Sequence, residues 1–457
     1  MFRVHCDRIQ HAVGHGGFHT GFIKFYRDAN LQQFTHPGRL KNEFSYVYDC
    51  GSEQDAAFNP ALLAYGQRAE EHTDLLFISH LHADHLNGID RLQGYAPAQT
   101  VVLPYLDAID RLEVALADVE KGAMSFSLME YFAAPVDWFT RRGVKKLIFL
   151  EPPRSGDTPT ERSQVMPNDD GEREGAVSGG SEGVERGEAQ VRIVETLRKP
   201  RASRPYRLQP VKDGDKDLPE GAYLAGQGSC FQLEQWSASQ GNWIVANWLL
   251  LPYVHPVDTT IKANFKRAVV HHINAAGRTE ETLTALILEH LVCRVKRKQL
   301  MKLYSRYFPG GHNAVSMSMY SGPKGNSGFP FVRYRNARFF NHVYSYEHSD
   351  AIGWLSTGDA ELKSEFRRIP WLDFYRPFFD DVLVMTLPHH GSFHNFHSDI
   401  LAFANMKFAL ATTVERLNRV AQVRRTLESI NTDDLSAMYV DDRYETRFEL
   451  RSILHNS

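Results

Sequence analysis

Four side chains of metal-ligand type fall within six positions of one another in Ser79-His80-Leu81-His82-Ala83-Asp84-His85. The apolar run Leu75 to Ile78 just before them has the length of a buried strand. Residues two apart on an extended segment point the same way, so His80 and His82 are placed to share one cation. The chain must then turn, and Asp84 and His85 fall at the start of a helix, aimed back at the same point. Imidazoles mixed with a carboxylate suit zinc, manganese or iron, whereas carboxylates alone suit magnesium. A solvated polar loop is the competing explanation. It is disfavoured because unpaired polar groups beside a buried strand are costly.

Two later stretches carry residues of the same kind: Leu355-Ser356-Thr357-Gly358-Asp359-Ala360 and Leu387-Pro388-His389-His390-Gly391-Ser392. With His-x-His-x-Asp-His, and in this order, they resemble the signature of the metallo-β-lactamase fold. The pairing of the later two is similar to that in the metallo-β-lactamase domain of the ComEC competence proteins and their soluble relatives. The resemblance implies an α/β protein, a four-layer αββα sandwich, with two divalent metal ions, zinc or manganese. It implies ligands among His80, His82, Asp84, His85, Asp359, His389 and His390, with Asp359 bridging the metals. One of His389 and His390 completes the second metal, and the other faces the substrate or the proton path. Other members of the fold place a metal-binding histidine just before the strand that starts near Ala314, where His312 and Asn313 stand. His312 is therefore a further candidate ligand, against a simple loop histidine, and His255 is a weaker one. Asp49 stands where the family has an aspartate that braces the metal loop; a turn aspartate close to Gly51 is the alternative.

The glycine-rich stretch Val13 to Ile23 lacks the lysine and hydroxyl of a phosphate-binding P-loop; the resembled family has a glycine-rich turn here, and His15 and His19 in it are expected as turn or rim residues, with lining of the cleft as the alternative. Asp380 and Asp381 are expected as solvated turn residues, and His394 and His397 at the rim of the cleft. Val414 to Arg419 occupies the place of the family's His-His-Pro element.

Two such ions lower the pKa of a bridging water and supply hydroxide near neutral pH. Asp84 is the candidate to orient it. A histidine of the closing pair, His390 being the one carried, is the candidate to protonate a leaving group. The reaction class is metal-assisted hydrolysis. A phosphodiesterase or nuclease acting on DNA, RNA or a nucleotide is the first expectation, because the ComEC-like branch is associated with DNA degradation. Hydrolysis of a small-molecule ester, lactone or thioester is the alternative, and a metal-binding subunit of a larger assembly is the reading from another class.

The elements that must position these residues follow from composition and periodicity. With 457 residues, 42% of them hydrophobic and 12% aromatic, the chain suffices for a large core. A formal charge of −3 gives no global case for binding nucleic acid or membrane. Cys6, Cys50, Cys230 and Cys293 form no CxxC pair, there is no signal-peptide pattern at Met1 to Asp7 and no run long enough to cross a bilayer, so a cytoplasmic protein with no membrane contact is expected. Residues 1–150 alternate strands and helices and form the first half of the fold, with helices over 108–119 and 126–139. Residues 151–190, rich in Gly, Ser, Glu, Arg and Pro, read as a disordered linker. Residues 191–308 read as a largely helical insertion, a candidate docking surface for a partner protein. Within it Trp243 to Leu251 is a strand, and Thr279 caps one long helix reaching Tyr304 with Leu283, Leu286, Ile287, Leu291 and Val295 on its apolar face. The cations of that helix, Arg294, Lys296, Arg297, Lys298, Lys302 and Arg306, either complement its dipole or meet a phosphate backbone. Residues 309–457 complete the fold and end in a β-hairpin over 439–450.

Overall fold

A computed structural model describes residues 2–27, 39–69, 71–121, 126–152, 184–186, 189–195, 209–210, 222–226, 229–237, 242–256, 259–308, 315–323, 325, 328–334, 342–345, 351–414, 420–430 and 434–455. The expected disordered linker falls, apart from its ends, outside the described residues, and so does His312.

The chain is a mixed α/β protein with two large sheets. At the heart of the first, Thr73–Phe77 runs parallel between Arg39–Tyr48 and Ala98–Pro104, with Lys146–Leu150 and Ala222–Ala225 extending the parallel side. Phe2–Gln10, His19–Arg27, Phe448–His455 and Gly328–Tyr334 form its antiparallel side. Every residue of Thr73–Phe77 is buried, as a central parallel strand covered on both faces requires. In the second sheet, Gly353–Ser356, Val382–Thr386, Phe408–Thr412 and Ser436–Val440 are parallel. Met317–Gly322, Asn242–Val254, Ser229–Ser237 and Ala189–Glu195 continue it in antiparallel order.

The two sheets meet across a shared core. Phe77 of the first packs edge-on against Phe231 of the second, and Tyr48 donates its hydroxyl to Met317 O. Arg8, fully buried on strand Phe2–Gln10, donates to Ser321 O at 2.7 Å and to Ile352 O across the interface. It also reaches Ser452 Oγ at 3.1 Å, and its guanidinium stands 5.0 Å over the ring of Trp248. A buried cation is tolerable only where acceptors compensate it, and three oxygens do so at the two terminal nitrogens of Arg8, while its Nε makes no hydrogen bond.

Several elements differ from the sequence expectations. Among the described residues of 191–308, helix begins at Thr259; upstream, Ser229–Ser237 and Asn242–Val254 are integral strands of the second sheet, and Trp248 to Val254 are buried. The β-prone run Trp243 to Leu251 is thus a sheet centre with partners on both edges. The helix expected over 126–139 is two, Phe126–Ala133 and Pro135–Thr140, since Pro135 starts a new helix at its N-terminus. The long helix after Thr279 also breaks. Thr279 caps Glu280–Val292 by accepting from Thr282 N, but Cys293 is extended, and a new helix runs over Arg294–Tyr307. The break shifts the apolar phase: Val295 is 67% exposed, and Leu300 and Tyr304 face the core instead. The terminal hairpin does not form. Ser436–Val440 pairs with Phe408–Thr412 in the second sheet, while Phe448–His455 pairs with Phe2–Gln10 in the first. Asp441 is buried between them, where it accepts from Arg443 N and Thr446 Oγ1 and turns the chain from one sheet to the other. Asp381 is likewise buried rather than solvated, and accepts from Gly325 N.

All four cysteines are free thiols, three of them buried and Cys293 exposed. Among the described residues no helix is long and apolar enough to cross a membrane.

Arg8→Ala is expected to cost about 3 kcal/mol or more, because it strands buried carbonyls that the guanidinium now satisfies. The measurement is a lowered urea midpoint. Arg8→Lys is expected to recover little of it, as one ammonium cannot span three acceptors and stack on an indole.

Candidate metal centre

The parallel strands of both sheets end at one place. Thr73–Phe77 delivers the loop Ile78 to Ala83, and the short helix Ala83–Leu86 carries Asp84 and His85. From the second sheet, Gly353–Ser356 delivers Asp359, and Val382–Thr386 delivers His389 and His390. The two sides are tied by the backbone where Met317 N donates to Ser79 O at 2.8 Å, and within the second sheet's side His389 N donates to Gly358 O at 3.0 Å. Ser316 Oγ accepts from Asp359 N at 3.1 Å and fixes the carboxylate's approach. Gly358 makes the turn with φ of 57°, and a Cβ there would fall 2.7 Å from Ser316 Oγ.

Six of the expected residues converge. His80, His82 and Asp359 bring donor atoms within 4.8 Å of one another, as do His85, Asp359 and His390, and His80, Asp84 and His85. All six are buried. Asp359 lies between two histidine sets. Its Oδ2 is 3.4 Å from His80 Nε2, and its Oδ1 is 3.6 Å from His85 Nε2 and 3.4 Å from His390 Nε2. Asp84 Oδ2 is 3.6 Å from both His85 Nε2 and His390 Nε2. These gaps are too long for good hydrogen bonds. They match the edge between two donors on a tetrahedral zinc, about 3.4 Å for ligand bonds near 2.1 Å.

The unmet donors point the same way. His80 Nε2, His85 Nε2 and His390 Nε2 are buried and make no hydrogen bond. At His85 and His80 the opposite ring nitrogen explains why Nε2 carries a lone pair. His85 Nδ1 donates to Asp49 Oδ2 at 2.8 Å. Ser79 Oγ donates to the same oxygen at 2.7 Å, so it is left to accept from His80 Nδ1 at 2.9 Å. Asp49 Oδ1 also accepts from Ser79 N at 2.6 Å. Asp49 therefore sets the tautomer and aim of two candidate ligands at once, as a bracing carboxylate does. Its own φ is 60°.

Electrostatics at the centre call for positive charge. Burial opposes ionisation of Asp84, but His85, His390 and His15 more than offset it and hold its carboxyl well below the usual range. Asp359 is held low in the same way by His389, His390, His80 and His85. Burial likewise opposes charge on His85, yet Asp49, Asp84 and Asp359 together push its pKa up to about 10. Burial, reinforced by His85, drives His80 far down. A divalent cation satisfies both carboxylates at once, in competition with the proton on His85. The donor set fits a pair of such ions: His80, His82 and Asp359 on one side, Asp84, His85, His390 and Asp359 on the other.

The closing pair divides. His390 is buried, with Nδ1 3.2 Å from Thr412 Oγ1. His389 has about a third of its side chain exposed and stands at the opening, Nε2 3.7 Å from Asp359 Oδ2. The Asn395 amide donates to His389 Nδ1 at 2.9 Å, which leaves the ring proton on Nε2, facing the cleft. Both histidines adopt left-handed backbone, φ 49° and 59°.

His15 is the residue that sequence reasoning underrated. It is buried, its ring centroid lies 3.9 Å from that of His390 with the planes tilted by 44°, and its Nε2 is 3.8 Å from Asp84 Oδ2, closing a fourth group with those two residues. The only signal was a histidine set between Gly14 and Gly16. His19 instead packs on Trp354 and meets the Tyr46 hydroxyl. His255 is buried in no such group; its Nε2–H reaches Ser318 Oγ at 2.8 Å, and Ser318 donates to Thr357 O, so His255 supports the strand end before Asp359. His394 is exposed, and His397 accepts from Asp399 N as a helix cap.

Asp49→Asn is expected to weaken binding of zinc or manganese by about 10–100-fold, read by competition with a colorimetric chelator, with the circular dichroism unchanged. Gly17→Ala is expected to act alike, because its Cβ would fall 2.6 Å from His85 Nδ1 and 2.8 Å from Asp49 Oδ2.

No protein-family model matches this chain, and no curated protein matches it.

Proposed function

We propose that this protein is a metal-dependent hydrolase of the metallo-β-lactamase fold, ComEC-like, and that it acts on phosphodiesters, as a phosphodiesterase or nuclease. Two facing sheets with helices outside them are what a four-layer αββα sandwich requires. The observation that carries the activity is Asp359, whose two oxygens each address a different set of histidines. That arrangement suits a carboxylate shared between two cations, zinc or manganese.

Such ions, when bound, supply Lewis acidity and acidify water near neutral pH. The chain's own residues do the rest. Asp84, whose carboxyl is held ionised by His85, His390 and His15, can accept a hydrogen bond from an attacking water and orient it. His390, enclosed by Asp84, Asp359 and His15, serves as a ligand. His389, half-open to solvent with its proton on Nε2, replaces His390 as the donor to a leaving oxygen. The buried walls exclude competing water and strengthen each of these interactions. Free thiols suit a reducing, cytoplasmic setting.

The test is hydrolysis of bis(p-nitrophenyl) phosphate and of labelled DNA and RNA with manganese or zinc. Metal-dependent turnover is expected, and Asp359→Ala and the double change Asp84→Ala, His85→Ala are expected to lower it by about 10³-fold or more. His389→Gln is expected to lower the rate by about 10²-fold while metal binding holds. Turnover of a lactone or thioester alone would remove the phosphodiester assignment.

A further inference from the structure

The break at Cys293 changes what the basic residues after it mean. In one continuous helix, Arg294 to Arg306 would lie toward the C-terminus and complement the dipole. In the structure Arg294, Lys296, Arg297 and Lys298 open a new helix, Arg294–Tyr307, with no acidic residue in its first turn. Cations at a helix N-terminus oppose the dipole. The dipole therefore explains at most Arg306 and its neighbour Lys302, and the charge at the front of the helix costs local stability.

Charge in the chain is also segregated. Residues 259–307 hold ten lysines and arginines against three glutamates, a surplus of seven in a protein of net charge −3, which leaves −10 on the remainder. Arg294, Lys298, Lys302 and Arg306 recur every four residues, about 6 Å apart along the axis, and all four are exposed. Among the described residues none of the four has an ion-pair partner, whereas Lys296 pairs with Glu289.

The helical unit springs from the rim of the metal centre. It is inserted between His255 and Ser316, which are themselves hydrogen-bonded, His255 N to Ser316 O at 2.9 Å. Ser316 is the residue that holds Asp359.

We propose that this row is a binding surface for the phosphate backbone of a nucleic acid, with Arg294, Lys298, Lys302 and Arg306 as its contacts. A regular row of unpaired cations is complementary to a polymer of regularly spaced anions. An anionic membrane fits less well: the helix buries Leu300 and Tyr304 within the protein, and its large exposed apolar residue is Val295, joined only by Val292 at the end of the preceding helix. The choice of nucleic acid among polyanions rests on the phosphodiesterase reading of the metal centre.

The experiment measures anisotropy of short labelled single strands and duplexes with the full-length protein, without added divalent ion, between about 50 and 200 mM KCl. Four backbone contacts correspond to a loss of roughly two decades of affinity over that range. The variant Arg294→Gln, Lys298→Gln, Lys302→Gln, Arg306→Gln is expected to bind more weakly and to reduce the log–log salt slope by about 3.6 on duplex or about 2.8 on single strand. A charge-matched control, Arg141→Gln, Arg376→Gln, Arg424→Gln, Arg425→Gln, is expected to keep the wild-type slope. The surface is overturned if the first variant keeps that slope, if the control loses as much, or if phosphatidylserine vesicles capture the protein with the same dependence on the row. Bis(p-nitrophenyl) phosphate turnover is followed beside it. Row-dependent binding by a chain that hydrolyses no phosphodiester supports this surface and removes the phosphodiesterase assignment, and turnover with unaltered binding in the first variant does the reverse.

Discussion

A buried carboxylate that needs several positive partners is the constraint around which this molecule is arranged. Asp359 is 3% exposed and sits at the end of a strand in the second sheet. Its nearest donors from the other side, His80 and His85, belong to the first. An ionised group so placed is costly unless neighbours compensate it. The two sheets must therefore bring their strand ends into register to within an ångström or so. A backbone bond across the seam, Met317 to Ser79, does this close to the site, and Arg8 does it deeper in the core.

Around that carboxylate the local backbone departs from its preferred conformations. Asp49, His389 and His390 all have positive φ, and among the described residues three of the four non-glycine residues with this property border the centre. Each costs about 1–2 kcal/mol relative to ordinary backbone. The cost is offset by what the conformations achieve. Asp49 turns back to hold Ser79 and His85, and the pair at 389 and 390 splits, one ring inward among acids and one outward to the opening. Imidazoles braced in this way are pre-oriented, so less reorganisation accompanies the arrival of a cation or substrate.

The centre and the basic helical unit are linked by connectivity as well as charge. The unit leaves and rejoins the fold at His255 and Ser316, which are hydrogen-bonded to each other, and Ser316 accepts from Asp359 N. Its surplus of cations is balanced by the acidity of the remaining chain, which is why a net charge of −3 concealed it.

Much of the centre was legible because its donors are clustered in sequence. His80, His82, Asp84 and His85 lie on one loop whose geometry is set by a strand ending and a helix starting, and such short-range placement follows from local rules. Asp359 and His390 were legible as types in suggestive settings, but their distance from the loop was not. That distance depends on how two sheets stack. His15 shows the limit most clearly: it lies far along the chain from Asp84 and His390, and only pairing of Phe2–Gln10 with both His19–Arg27 and Phe448–His455 carries its turn to them. The same holds for the tail, where the sequence read as one hairpin over 439–450, while the structure has strands Ser436–Val440 and Phe448–His455 in different sheets. Helix breaks at Ala134 and Cys293 were invisible to periodicity, since apolar spacing persists through a change of axis while burial does not. Sequence alone thus singled out most of the residues of a type fit to hold metal and several of the strands, but neither His15 nor the strand Ser229–Ser237. The tertiary structure decided which of them meet, because contact between distant residues is fixed by sheet pairing and core packing, and neither leaves a local trace.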